Sequence, residues 1–258
     1  MCPDTEAPGN PARRLGSYTT AKVSGGRVER LERHTARLRR DAERIGLPLP
    51  QQVDVERIFL DTAERNFGSS HSVGSNHSPG RRDGIVRVEW SHLPGAPPKL
   101  IATPREYQAA APAWSVVTSD AIHPGPEFRA NTKYVDVAAY DLGRDYIKKG
   151  DVDEVMLFDA QGRLVEGAHS NFIVVTEAGH LVTPARDLGC VEGLGLTIVR
   201  EGHPEIREAH LTRTDLDTCR EMMSTNAVRG VVPIISIDDK PVPAGEIAKA
   251  LGAAFGHA

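Results

Sequence analysis

The stretch EVMLFDAQGRLVEGAHSNFIVVTEAGHLVTP, residues 154–184, carries the clearest structural signal in the chain. Four short runs in it, EVMLFD, LVEG, SNFIVV and LVTP, are rich in Val, Ile, Leu and Phe, and turn-forming residues separate them at 160–162 and 177–179. Such side chains suit a pleated, half-buried surface, and connections this short join antiparallel neighbours. The stretch is therefore expected to form a β-meander.

Working upstream, Val135, Ala138, Ala139, Leu142 and Tyr146 recur at helical spacing, which puts Lys133 at or just before a helix start. Further back, TPREYQAAAPAW (residues 103–114) is rich in Pro and Ala without periodicity and is the expected linker. It divides the chain into residues 1–108 and 114–258. In the first part IVRVEW alternates Val86, Val88 and Trp90 against Ile85, Arg87 and Glu89, the period of an antiparallel strand. GSYTTAKV (residues 16–23) reads as another strand, ending in a Gly25-Gly26 turn. A helix follows, with Leu31, His34, Leu38, Ala42 and Ile45 on one face and Gly46 and Pro48 as its stop. Arg37 lies about 100° around that helix from Leu38, at the edge of the apolar stripe, where a guanidinium can face a cleft. A second helix is expected over residues 53–65, so the first half is α+β. Residues 68–84 are dense in Ser, Gly, His and Asn and read as a loop. Its histidines, His71 and His77, have no partners at metal-ligand spacing, and no metal site is expected.

The composition narrows the functional classes. With 258 residues, 40% apolar and 26% charged, the chain can bury a sizeable core. A net charge of −4, from 31 basic and 35 acidic residues mixed along the chain, gives no field for nucleic acid or an acidic membrane surface. No apolar run approaches the roughly 18 residues of a membrane span, and a cytoplasmic protein is expected. Cys2, Cys190 and Cys219 are far apart and fit neither a zinc nor a redox spacing.

The chain has no P-loop, G-x-S-x-G elbow, H-E-x-x-H helix or Rossmann glycine fingerprint. Its weaker signals come in a definite order: LERHTARLRRDAERIGLP (31–48), Lys133, VEGAHSNFIVV (165–175), a Thr-Pro at Thr183, and STNAVRGVVPI (224–234). In that order they resemble the class IV aminotransferases, the fold type IV pyridoxal-phosphate enzymes, over about residues 16–240. That family contains branched-chain and D-amino-acid aminotransferases and aminodeoxychorismate lyases. The resemblance implies a two-domain fold of the α/β (α+β) class, an N-terminal α/β sandwich and a C-terminal barrel-like α/β domain. It also implies pyridoxal 5'-phosphate in the cleft between them and a homodimer.

Roles follow at the matching positions. Lys133 would hold the cofactor aldehyde as a Schiff base and, once released, shuttle the α-proton, which requires an unprotonated amine; without the flanking motifs it would read as a surface lysine. Glu166 would pair with the pyridine nitrogen and keep the ring electron-withdrawing, although Glu166-Gly167 could also be turn chemistry. Ser170 and Asn171 would fix the loop around Glu166. Arg37, ending a His34-x-x-Arg37 spacing, would grip the phosphate. Leu194 and Gly195 at a helix start, and the hydroxyls of Ser224 and Thr225, would add phosphate contacts. Tyr18, His92 and Asn226 are the substrate-side candidates.

The chain also departs from the family pattern. The helix start is usually Gly-Ile-Thr, whereas Gly195 stands here in the threonine's place, so one phosphate donor is missing. Ser91-His92-Leu93 replaces a Thr-Arg-Gly, putting His92 where an arginine often receives the substrate carboxylate. The lead-in before GSYTT is short, residues 1–15, and the tyrosine five residues beyond the lysine is Ala138. The leading expectation is transfer of an amino group between an amino acid or amine and a 2-oxo acid, to which TNAVRGVVP lends a branched-chain flavour. Tyr18-Thr19-Thr20-Ala21-Lys22 is close to the aminodeoxychorismate lyase version, which eliminates pyruvate to leave p-aminobenzoate. A third reading is a family member that has lost the cofactor and acts as a binding protein.

Overall fold

The computed structural model describes residues 14–68, 82–109, 111–128, 130–150, 152–243 and 245–255. Cys2, His71, His77 and most of the short lead-in lie outside the described residues. In chain order the elements are β1 (Leu15–Ser24), β2 (Arg27–Val28), α1 (Leu31–Arg44), α2 (Gln52–Phe67), β3 (Gly84–His92) and β4 (Lys99–Glu106). Then come β5 (Trp114–Ile122), α3 (Ala138–Lys149), β6 (Glu154–Phe158), β7 (Leu164–Gly167), β8 (Asn171–Val175), β9 (Leu181–Pro184) and α4 (Leu194–Gly202). The chain finishes with β10 (Arg207–Ala209), α5 (Arg213–Asp217), β11 (Glu221–Asn226), β12 (Gly230–Ile237), β13 (Lys240–Pro241) and α6 (Ile247–Gly252).

The first sheet has the order β2-β1-β3-β4. β1 and β3 run antiparallel from Leu15 opposite His92 to Val23 opposite Gly84. Strand alternation gives the sheet two faces. On one, Ala21, Val23, Val86 and Val88 pack with Leu38, Val55, Phe59, Ala63 and Phe67 of α1 and α2. The other carries Tyr18, Thr20, Ile85 and Arg87, which line a cavity. β4 extends through Glu106, so the first four residues of TPREYQAAAPAW belong to a strand.

The second sheet is mixed, in the order β10-β9-β8-β11-β12-β5-β6-β7, with β13 added to β12. β7, at one end of this order, packs back against β8 and β9, curling the sheet. One face of β8 joins Met156, Leu164 and Met222 through Phe172 and Val174. The other joins Val199 of α4 and Leu251 of α6 through Ile173 and Val175. A strand covered on both faces reads as a continuous apolar run, as NFIVV does.

Residues 154–184 are not a meander. β6 pairs with β7 and β8 pairs with β9, but β7 and β8 are not hydrogen-bonded neighbours. The reason is local: Glu154, fully buried, accepts bonds from the Val155, Ala168 and His169 amides and the Ser170 hydroxyl. Those donors bend 167–170 away from a hairpin, and a Cβ on Gly167 would come within 2.8 Å of the Glu154 carboxyl carbon.

The helix after Lys133 starts later and turns a different face inward than its apolar spacing suggests. Ala139, Tyr140 and Gly143 of α3 are buried, while Leu142 and Tyr146 are 61% and 50% exposed. Close packing decides this, because a Cβ on Gly143 would meet Val155 Cγ2 at 2.8 Å and Ala168 Cβ at 3.0 Å.

The two sheets meet through an apolar group containing Tyr18, Tyr134, Val135, Tyr140, Leu157 and Val191. Ion pairs reinforce the junction. Arg33 of α1 grips Glu201 of α4 with two bonds, and Arg40, Arg44 and Arg186 converge on Glu192.

Candidate active site

Between the inner face of the first sheet, α3 and the second sheet lies a cavity of about 760 Å³. Its lining holds Arg37, Arg87, Arg105, Arg144, Arg229 and Lys133 against Glu106, Asp153 and Glu166. The excess of cations favours an anionic occupant.

Lys133 is fixed through its backbone. Its carbonyl accepts the Tyr18 amide at 2.9 Å, and the Val135 amide donates to Gly16 O at 3.0 Å, so this segment lies along β1 as a short extra strand. The Lys133 amide donates to Asp41 Oδ2 at 3.1 Å. Its Nζ stands 4.9 Å from the centre of the Tyr18 ring, and the Arg87 guanidinium lies 3.7 Å from the same centre. Burial opposes ionisation of the Tyr18 phenol, but Lys133, Arg87, Arg144 and Arg37 outweigh it and hold its pKa below the usual value.

Glu166, at the cavity end of β7, is buried. Its Oε1 accepts the Tyr140 hydroxyl at 2.6 Å and the Val191 amide at 3.0 Å. Its Oε2 has only a long 3.4 Å contact from Asn171 Nδ2, which is anchored to Val191 O at 3.0 Å. Ser170 lines the cavity, but its hydroxyl serves Glu154 rather than Glu166.

Arg37 is 4% exposed, deeper than an edge position suggests, and still lines the cavity. Its Nε is 3.5 Å from Asp41 Oδ2, and neither Nε nor Nη2 has a hydrogen-bond partner. Desolvation lowers its pKa, which Asp41 opposes. A buried guanidinium with free donors is suited to an anion. The N-terminus of α4 offers a second cationic element: Gly193 is its N-cap, with no side-chain cap, and Leu194 faces the cavity. Gly195 packs directly on Asn226, whose backbone would lie 2.7 Å from an added Cβ, so no threonine fits there.

The hydroxyls of Ser224 and Thr225 are both buried without partners. Strand alternation separates them. Thr225 pairs with Asn171 and Ser224 with Phe172, and neither residue is among those lining the cavity. Asn226 lines the cavity, but its Oδ1 accepts the amides of Val228 (3.0 Å) and Arg229 (2.8 Å) and shapes the turn into β12.

His92 is not among the cavity residues. It sits at the end of β3, and its Nδ1 is 2.8 Å from Ala96 O in the turn to β4. Arg87, five residues earlier, is the cation of β3 that lines the cavity. Glu89 receives Arg87 Nη2 and Arg14 Nη1, both at 2.7 Å, and Arg87 Nε is buried without a partner. The IVRVEW alternation already sets Arg87 opposite the core valines, and that was the signal for its role. Tyr140, His123, Glu154 and Asp41 carried no such signal.

The sequence profile of the amino-transferase class IV family matches residues 16–237. The chain belongs to the class IV aminotransferases. An Aquifex aeolicus protein described as a branched-chain-amino-acid aminotransferase is 29% identical over 100 residues, 37% of this chain. That match spans only 32% of the relative's own length. Among solved structures, a fold IV transaminase of Curtobacterium pusillum, CpuTA1, is 22% identical and superposes with a TM-score of 0.75, covering 94% of this class IV chain and 87% of its own. A Legionella pneumophila structure described as a 4-amino-4-deoxychorismate lyase is 16% identical, with a TM-score of 0.78 over 98% of this chain and 96% of its own. These likenesses establish the fold as that of the fold IV transaminases. No helix among the described residues is long and apolar enough to cross a membrane.

Proposed function

We propose that the protein is a pyridoxal 5'-phosphate-dependent aminotransferase that moves an amino group between an amino acid or amine and a 2-oxo acid. The observation that carries this is the convergence of a lysine amine, a buried carboxylate and a buried guanidinium with two nitrogens free of hydrogen bonds, Lys133, Glu166 and Arg37, on one cavity. The donor set fits a phosphorylated pyridine aldehyde. Arg37 and the amides at Leu194 and Gly195 suit a phosphate dianion. Glu166, through Oε2, suits a protonated ring nitrogen, and Lys133 suits the aldehyde.

When bound, the cofactor supplies the carbonyl that takes the amino group and a ring that withdraws electrons from the substrate's Cα. Lys133 would take up the substrate's Cα proton and give it back later in the exchange. Glu166 holds a proton at the ring nitrogen. Arg87, kept in place by Glu89 and the Tyr18 ring, receives the substrate carboxylate. Asn171 and Ser170 line the wall, and Ser170 acts by tying its loop to Glu154.

Lyase chemistry is the second reading, favoured by Tyr18 to Lys22 and by the fold shared with the Legionella structure. A hydroxyl-rich strand beside the lysine would serve it, yet of its two threonines only Thr20 lines the cavity, beside Tyr18, while Thr19 Oγ1 is bonded to His34 at 2.6 Å. This leaves transfer ahead. We also propose that residues 1–108 and 114–258 are two domains flanking the cofactor, and that two copies of the chain form the working dimer.

Purified protein mixed with pyridoxal 5'-phosphate should turn yellow, and borohydride should then fix the cofactor on Lys133. Amino donors offered with pyruvate or 2-oxoglutarate identify a transaminase, and p-aminobenzoate release identifies the lyase. A protein that stays colourless and takes up no cofactor would be the non-catalytic binding protein.

A further inference from the structure

Behind the cavity, His123, Tyr140 and Glu166 form a buried hydrogen-bonded file in which the direction of each bond is determined. The Gly125 amide donates to His123 Nδ1 at 3.1 Å. That nitrogen is therefore an acceptor, and the ring hydrogen sits on Nε2. Nε2 lies 3.0 Å from the Tyr140 hydroxyl oxygen, with Glu166 Oε1 itself at 3.3 Å. Since Nε2 donates there, the phenol directs its own hydrogen to Glu166 Oε1, at 2.6 Å. The Val191 amide occupies the same oxygen at 3.0 Å, whereas Oε2 keeps only the 3.4 Å contact from Asn171.

Packing alone does not require this file. A phenylalanine at 140 would fill the same space, and the apolar group around Tyr140 offers nothing else for a hydroxyl to bond. The asymmetry at Glu166 is the informative feature. The Tyr140 hydroxyl and the Val191 amide, with His123 Nε2 at 3.3 Å, hold Oε1, whereas Oε2 has only the long Asn171 contact. Cys190, a titratable neighbour, is kept as a thiol because burial and Glu166 both raise its pKa.

We infer that Tyr140 and His123 are positioning residues that turn Glu166 so that Oε2 meets the cofactor's ring nitrogen, with His123 acting both through the Tyr140 hydroxyl and directly on Oε1. The inference rests on the cofactor reading above. It assigns neither residue any contact with substrate. Each link restricts the next, and His123 is itself oriented by a backbone amide, so the file ends on a rigid group.

The test compares wild type, Tyr140→Phe, His123→Gln and the double variant, each titrated with pyridoxal 5'-phosphate at one pH. Borohydride fixation on the wild type comes first. If the wild type takes up no cofactor, the cofactor reading itself fails and the inference falls with it. Given uptake, Tyr140→Phe should bind cofactor roughly tenfold more weakly, the size expected for a lost bond to a charged group. The visible band of its bound cofactor should shift, and kcat should fall with KM little changed. His123→Gln should move the same quantities in the same direction by less, and the double variant should fall short of the sum of the two, because both residues hold the same oxygen. Thermal melting of the cofactor-free variants controls for folding, and His123→Gln alone still reads the file if Tyr140→Phe is unstable. Wild-type affinity and spectrum in Tyr140→Phe, or additive effects in the double variant, would overturn the inference.

Discussion

The backbone amide of Tyr18 donates to the carbonyl of Lys133 at 2.9 Å, fastening the amine-bearing residue to β1 of the other sheet. The same two residues meet through their side chains, with the Lys133 amine over the Tyr18 ring. Lys133 thus belongs to a short extra strand, five residues before α3 begins, and its position depends on the junction of the two sheets rather than on its own helix.

Replacing Lys133 by Ala should abolish borohydride fixation and lower amino transfer by roughly a thousandfold, within the range for loss of a positioned proton-transfer group. The backbone bonds to Tyr18 and Asp41 do not involve the side chain, so the melting temperature of the cofactor-free protein should stay close to wild type. Mass mapping of the reduced adduct and steady-state rates check both parts.

Arg87→Ala should raise KM for carboxylate substrates about tenfold or more, since a charge-assisted pair is removed. Arg87→Lys should recover little, because Glu89 and the Tyr18 ring hold a planar guanidinium. An unchanged KM in both variants would move the carboxylate site elsewhere.

His34 makes stability depend on pH. Burial, then Arg37 and Arg30, lower its pKa to about 3, so the folded protein keeps it neutral. Above the unfolded value near 6.5 neither state binds a proton and His34 contributes no slope. Between there and about 3 the unfolded chain gains a proton that the folded chain refuses, and stability falls by about 1.4 kcal/mol per pH unit from this group. Urea midpoints at successive pH values should show a shallower decline in His34→Gln than in wild type.

Glu154→Gln should destabilise the fold by about 2–4 kcal/mol, because it turns an amide NH₂ toward groups that are themselves donors. The defect should concentrate at residues 167–170, where hydrogen exchange ought to quicken most. Equal protection there in variant and wild type would remove Glu154 as the organiser of that loop.

Gly195→Thr, which restores the hydroxyl usual in the family, should weaken the protein rather than improve cofactor binding. The added Cβ meets the Asn226 backbone at 2.7 Å, and overpacking of this kind costs about 1–3 kcal/mol. Cofactor titration and urea unfolding of the variant read the two effects separately.

Elements defined by their own periodicity were legible from residues alone. α1 follows from the spacing of Leu31, His34, Leu38 and Ala42, and β3 from the alternation in IVRVEW, because each pattern marks a face whichever partner covers it. The inward face of α3 was not legible, since beside Ala139 it is made by Tyr140 and Gly143, which lie outside the apolar spacing. Nor was the pairing of β7 and β8, because strand and turn signals specify elements without naming their neighbours.

The order of Arg37, Lys133, Glu166 and the 224–234 segment was enough to identify the family and its fold, since those positions are separated by fixed lengths of legible structure. Only the tertiary structure decided which oxygens, faces and nitrogens meet. It set Arg87 rather than His92 on the cavity, left Ser224 and Thr225 off its lining, gave Ser170 to Glu154, and set His123 and Tyr140 behind Glu166. The reason is physical: periodicity is a property of neighbours along the chain, whereas hydrogen bonds such as that from Tyr140 to Glu166, 26 residues apart, exist only after distant elements pack.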